Sequence, residues 1–247
     1  MLTRIAGLCL VCALFASLTL VACGGGGGGG GTSMGPLQQS PQALASPTPA
    51  LPTPPPNPTA SPQRWHSLIG TATVPAGDTP SGGLGAPVDG IPCDNTAAHF
   101  HIHSHVSLFY KGVQIALPLA IGIKDPVILI NRNGFPVAVR GSCTYHTHTH
   151  DQSGLIHIEA LTVGTYTLGN VFDIWGEPLS SSPVNVAGFR GPLLVYLASC
   201  ASGVPFICDP PTQYTGDPRA IVLAQHLQIT LEVGGPYVWP PYYQWSF

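Results

Sequence analysis

The sequence predicts a mainly β fold: a single sandwich- or barrel-like domain with one short helix. Apolar and polar residues alternate in several short segments, most regularly in HLQITLEVG at 226–234. Such alternation is typical of strands that have one apolar face. Only one segment has the pattern of a helix, so strands are expected to dominate. A small α+β sheet packed on that helix is the alternative.

The predicted strands begin near residue 105. HVSLFYKGVQIAL predicts a hairpin that turns at Lys111-Gly112. HTHTHD and LIHIE predict a second hairpin across the turn-like sequence DQSG at 151–154. The individual strands predicted beyond the first hairpin are Pro126–Ile130, Phe135–Arg140, Leu155–Ala160, Gly191–Ala198 and His226–Gly234.

The predicted helix lies in TLGNVFDIWGEP. Thr167 is suited to the N-cap, and Gly176 is suited to end the helix. Val171, Phe172 and Trp175 form its apolar face.

The N-terminal segment predicts export. Residues 1–22 carry Arg4 and then an apolar stretch, which is the pattern of a signal peptide. LVAC at 20–23 resembles the bacterial lipobox, and this resemblance implies that Cys23 becomes the lipidated (palmitate-type) first residue of a lipoprotein. A membrane is then a partner, and the location is the outer membrane, the periplasmic side or the cell surface. An ordinary transmembrane anchor is the alternative.

A tether is predicted between the lipid and the domain, over residues 23–90. Gly24–Gly31 is an unbroken glycine run, and Gly35–Pro62 is rich in Pro, Ser, Thr and Ala. Such segments bury too little apolar surface to fold. The folded, histidine-rich β domain is therefore predicted at 91–247. The whole chain has a formal net charge of -3 and no basic cluster, which argues against nucleic acid as a partner.

Four cysteines belong to the predicted domain, an even number that predicts two disulfides in an exported protein. Cys200 is expected to pair with Cys208, and Cys93 with Cys143. Thiolate metal ligands are the alternative, although no CxxC spacing is present.

Two arrays of alternating histidines predict a metal site. HFHIHSH spans 99–105 and HTHTHD spans 146–151. Residues two apart in a strand project from the same face and lie about 6.6 Å apart along the strand. Two such imidazoles can therefore converge on one ion. The leading candidate ligands are His101, His103, His148 and His150, followed by His105, His157 and His226. Asp151 or Glu159 is expected to orient a ligand ring or to complete the site.

Zinc or copper is the expected ion, because imidazole-rich sites suit transition metals rather than magnesium or calcium. HFHIH is similar to the zinc strand of α-type carbonic anhydrases, and the arrays resemble those of copper–zinc superoxide dismutase. The domain also resembles uncharacterised secreted bacterial domains with HxHxH and HTHDxSGxIHIE patterns, which carry no established activity.

Three functions are compatible with these patterns. The first is capture, delivery or tolerance of zinc or copper by a surface-tethered lipoprotein without enzymatic activity. The second is a metalloenzyme, hydratase- or dismutase-like, with three histidines and a water on the metal. The third is an interaction domain that a metal only stabilises. No catalytic residue is assigned by the sequence, and a proton-sensing histidine patch is the metal-free alternative.

Overall fold

The structure is a computed structural model that describes residues 61–62, 68–71, 82–95, 98–201 and 207–244. All of these residues belong to one compact unit, Pro49–Phe247. The predicted signal segment, Cys23 and most of the predicted tether lie outside the described residues.

The described chain contains sixteen strands, one α-helix and one 3₁₀-helix. The helices are α1 (Leu168–Trp175) and the 3₁₀-helix Pro218–Ala220. The strands are β1 (Ser61–Pro62), β2 (Cys93–Asp94), β3 (Phe100–Tyr110), β4 (Val113–Ile115), β5 (Ile128–Arg132), β6 (Phe135–Arg140), β7 (Thr144–Tyr145), β8 (Thr147–His148), β9 (Leu155–Ala160), β10 (Leu179–Ser181), β11 (Val184–Val186), β12 (Leu193–Ala201), β13 (Ile207–Cys208), β14 (Thr212–Gln213), β15 (Leu227–Val233) and β16 (Tyr243–Gln244).

One eight-stranded sheet organises the domain. Its order is β13-β12-β15-β3-β9-β8, with β4 paired to β3 and β14 paired to β12. β3 and β15 run parallel, and the other pairs in this sheet are antiparallel. The remaining strands form the two-stranded sheets β1–β16, β2–β7, β5–β6 and β10–β11, and the sheets do not close on themselves. The predicted mainly β, sandwich-like fold is confirmed.

Helix α1 covers the apolar face of the central sheet. The Thr167 side chain accepts a hydrogen bond from the backbone of Asn170, and Gly176 ends the helix in the left-handed conformation at φ 81°. Both caps are the predicted ones. Trp175 is fully buried in the same core as Ile158 and Ile229. The predicted hairpins β3–β4 and β8–β9 are also present.

The opposite face of the sheet is polar, and it is buried as well. In β15 the polar residues Gln228, Thr230 and Glu232 are at most 3% exposed. The chain at 236–244 crosses above them, where the backbone N–H of Val238 donates to Glu232 Oε2 (2.8 Å) and Gln228 Nε2 donates to the carbonyl of Tyr243 (2.8 Å). Burial raises the pKa of Glu232 to about 7. The alternation predicted both faces of β15 correctly, but not that a C-terminal segment covers the polar one.

Two features of the structure differ from what the sequence predicts. The strand predicted at Pro126–Ile130 is displaced to Ile128–Arg132 and pairs with β6. Short described pieces of the stretch predicted as tether contact the domain: the Gly83 N–H donates to the carbonyl of Ile174 (3.1 Å), and the Tyr145 hydroxyl donates to the carbonyl of Ala86 (2.5 Å).

Both predicted disulfides are present. Cys93 is bonded to Cys143, with their Cα atoms 5.4 Å apart, and Cys200 is bonded to Cys208. The first joins β2 to the chain beside β7. Disulfides of this kind are typical of proteins in an oxidising, extracellular-type environment. Within the described ranges, no helix is both long enough and apolar enough to cross a membrane.

The Cys93–Cys143 disulfide is expected to stabilise the fold more than the Cys200–Cys208 disulfide. It closes a loop with a sequence separation of 50, against 8 for the other. Loop-closure entropy predicts that the free energy of unfolding falls by about 4 kcal/mol in Cys93→Ser/Cys143→Ser and by about 2.5 kcal/mol in Cys200→Ser/Cys208→Ser. Urea unfolding of the two double variants measures both losses. The reverse order would contradict this explanation.

Candidate metal site

The candidate site lies where β3, β9 and β8 run side by side at one end of the polar face. His101 lies opposite Glu159, and His103 lies opposite His157. On the other side of β9, His148 of β8 also lies opposite His157. Because directly opposite residues project from the same face of a sheet, these side chains converge above β9.

Six side chains form what we call the histidine cluster. They comprise two groups, and within each group the possible ligand atoms lie within 4.8 Å of one another. The first group is His148, His150, His157 and Glu159, and the second is His101, His103 and His157. Such a cluster of imidazoles and a carboxylate could hold a metal ion.

His148 and His150 point unprotonated nitrogens at each other. His148 Nδ1 lies 2.9 Å from the carbonyl oxygen of Tyr145, and His150 Nδ1 lies 2.5 Å from that of Ala138. A carbonyl only accepts, so each Nδ1 must carry the proton of the neutral ring. The two Nε2 atoms are then bare, although they lie only 3.3 Å apart. Two lone pairs at this distance repel each other unless a cation lies between them.

Glu159 supplies the negative charge at the centre of the cluster. Its Oε1 lies 3.1 Å from His101 Nε2 and 3.4 Å from His157 Nδ1. The same oxygen lies 3.7 Å from His148 Nε2 and 4.0 Å from His150 Nε2. Two ligands bound tetrahedrally to zinc at 2.0–2.1 Å lie about 3.4 Å apart. The atoms of the cluster are therefore spaced as ligands of a small transition-metal ion.

Burial keeps three imidazoles of the cluster in the neutral form that binds metal. Burial lowers the pKa of His148 to about 3, and the neighbouring His150 adds to this effect. Burial and then His101 lower the pKa of His103 to about 3, and burial holds the pKa of His157 well below its ordinary value. Burial alone would raise the pKa of Glu159, but the surrounding histidines, His150 and His157 first, hold that pKa well below its usual range.

A cavity of about 360 Å³ opens onto the cluster. His148, His150 and Glu159 lie in its wall, and so do Arg140 of β6 and Asp94 of β2. The cluster is therefore accessible to an ion or a small molecule from this side. The sequence did not single out Arg140 or Asp94, because neither belongs to a motif.

Several predicted residues lie outside the cluster. His105 Nε2 donates to the carbonyl of Ser153 (2.8 Å), and its ring packs on Tyr243 with centroids 4.5 Å apart. The Asp151 carboxylate accepts hydrogen bonds from the backbone N–H and the hydroxyl of Ser153. His226 precedes β15 with a left-handed φ of 61°, and its backbone N–H donates to the carbonyl of His103. Neither group of possible ligands includes these three residues.

The two outer histidines of the arrays are not part of the cluster either. His99 is exposed ahead of β3, and His146 Nδ1 lies 3.0 Å from the Tyr166 hydroxyl. Glu159, by contrast, has a larger part than the sequence predicted, because its Oε1 lies among the ligand nitrogens of both groups.

Comparisons with protein-family models, with curated proteins and with solved structures found no match to this chain.

Proposed function

We propose that this protein is an exported, lipid-anchored lipoprotein that binds zinc or copper for capture, delivery or tolerance. The ion is held by His148, His150, His157 and Glu159, with His101 beside them. LVAC at 20–23 supports the lipid anchor at Cys23, and the two disulfides agree with an exported location.

One observation carries the metal-binding part of the proposal. His148 and His150 each donate Nδ1–H to a backbone carbonyl, so that their bare Nε2 atoms face each other at 3.3 Å beside the Glu159 carboxylate. Ligand histidines in metalloproteins are commonly oriented by this same Nδ1–H···O=C hydrogen bond. Neutral imidazole nitrogens select zinc or copper over calcium or magnesium.

A metalloenzyme is the second candidate function, and the cavity favours it. Three protein ligands would leave a position for a water, which a bound zinc activates by lowering the pKa of that water to about 7. The cavity reaches His148, His150 and Glu159 and holds the Arg140 side chain in its wall. A small anion or polar substrate could approach the open position from there.

Elemental analysis of the purified full chain tests metal binding. The protein is made without a polyhistidine tag in an oxidising compartment, and it is compared with the variant His101→Ala/His103→Ala/His148→Ala/His150→Ala. We expect at least about one equivalent of zinc or copper in the unmodified chain. The quadruple variant is expected to lose it.

A matched control is His99→Ala/His146→Ala, which removes array histidines outside the cluster and should retain the metal. Circular dichroism shows whether each variant keeps its fold. If the unmodified chain contains no metal and takes up neither zinc nor copper on titration, the proposal is wrong.

A further inference from the structure

We infer that the histidine cluster binds two metal ions that are bridged by Glu159. This inference rests on the metal binding proposed above, and it specifies how many ions that site holds and which residues each ion uses.

The cluster has more ligands than one ion needs. A zinc ion in a protein takes four ligands, whereas the cluster offers five histidines and one carboxylate. The six do not converge on a single point, because the ligand atoms fall into two separate groups and only His157 belongs to both. A neutral imidazole has one nitrogen with a free lone pair and binds one ion, so His157, whose Nδ1 lies near both sets, completes only one of the two sites.

Each side of Glu159 has its own histidine pair. On one side are His148 and His150, with Nε2 atoms 3.3 Å apart. On the other side, the His101 and His103 rings have centroids 4.4 Å apart, and His101 Nε2 lies 3.3 Å from His157 Nδ1. The second set therefore has the short spacing of a metal site, as the first set does.

Glu159 is placed to join the two sites. Its Oε1 lies 3.1 Å from His101 Nε2 in one set and 3.7 Å from His148 Nε2 in the other. Two divalent ions in neighbouring sites repel each other, and a carboxylate oxygen between them reduces that repulsion. Protein two-metal centres hold their ions about 3.5–4 Å apart, which one bridging carboxylate can span.

Counting tightly bound zinc tests this inference. The full chain is titrated with Zn²⁺ against a competing chelator, so that only tight sites are counted. We expect two equivalents for the unmodified chain and one for His103→Ala, which removes a ligand found only in the second set. His105→Ala is the matched control, because this residue shares the strand and the face of His103 but lies outside the cluster. It should retain two equivalents.

Copper provides a second measurement, which is made first on the unmodified chain. Two Cu²⁺ ions that share a ligand are magnetically coupled, so the integrated electron paramagnetic resonance intensity of the copper-loaded chain should fall below its total copper. In His103→Ala, the intensity should equal the total copper. The inference would be overturned if the unmodified chain saturated at one equivalent. It would also be overturned if the unmodified chain and His103→Ala both bound two equivalents. Either result would leave the proposed function intact. Absence of any tight site would instead reject the proposed function itself.

Discussion

His150→Ala is expected to weaken zinc or copper binding by about 100-fold or more. Loss of a residue that only orients a ligand costs about 10–100-fold in metal affinity, and His150 is proposed as a ligand itself. The substitution removes one of the two bare Nε2 atoms that face each other beside Glu159. Titration of the full chain against a metal indicator of known affinity measures the effect.

His146→Ala is the matched control for this prediction. Both histidines belong to the same array and both are half-buried, but His146 contacts the Tyr166 hydroxyl rather than the cluster. The control should bind metal with unchanged affinity. Equal weakening in the two variants would mean that the array binds metal diffusely, without the defined site described above.

The secondary structure could be predicted because local patterns determine it. Thr167 and Gly176 cap the helix as their chemistry predicts, and Lys111-Gly112 makes the turn of the first hairpin with positive φ at both residues. Cysteine pairing could also be predicted. The burial of both faces of β15 could not, because the covering segment at 236–244 carries no pattern that marks its position.

The sequence could predict which strands carry the candidate ligands and which strand face they share, but not which of them meet across strands. Alternation places His101, His103 and His105 on one face, but it does not reveal the register between strands. That register sets His103 opposite His157 and brings Glu159 into the cluster. A slip of one residue would move these side chains to the opposite face. His105 falls outside the cluster because it lies opposite Leu155 and beneath Tyr243, which are long-range relationships.

The metal-free protein is expected to lose stability as the pH falls below about 6.5. Burial lowers the pKa of His148 to about 3 and that of His105 to about 4, whereas an unfolded histidine titrates near 6.5. The unfolded chain therefore binds more protons than the folded chain below pH 6.5, which favours unfolding. At pH 4 each of these two residues lowers the free energy of unfolding by about 3 kcal/mol relative to neutral pH. Glu159 acts in the same direction, because the stability that its lowered pKa contributes is complete above about pH 4.5 and declines progressively below that pH.

The combined loss is comparable with the whole stability of a typical domain, about 5–15 kcal/mol, so we expect the metal-free chain to be unfolded by about pH 4. Urea unfolding in the presence of a chelator, at several pH values between 7.5 and 4.5, measures this dependence. His105→Asn removes one buried titrating group without touching the cluster, so the loss of stability on acidification should become smaller by up to about 3 kcal/mol. His99→Asn, at the exposed start of the same array, should leave the dependence unchanged. An equally steep loss in His105→Asn would show that burial of this imidazole does not contribute to acid unfolding.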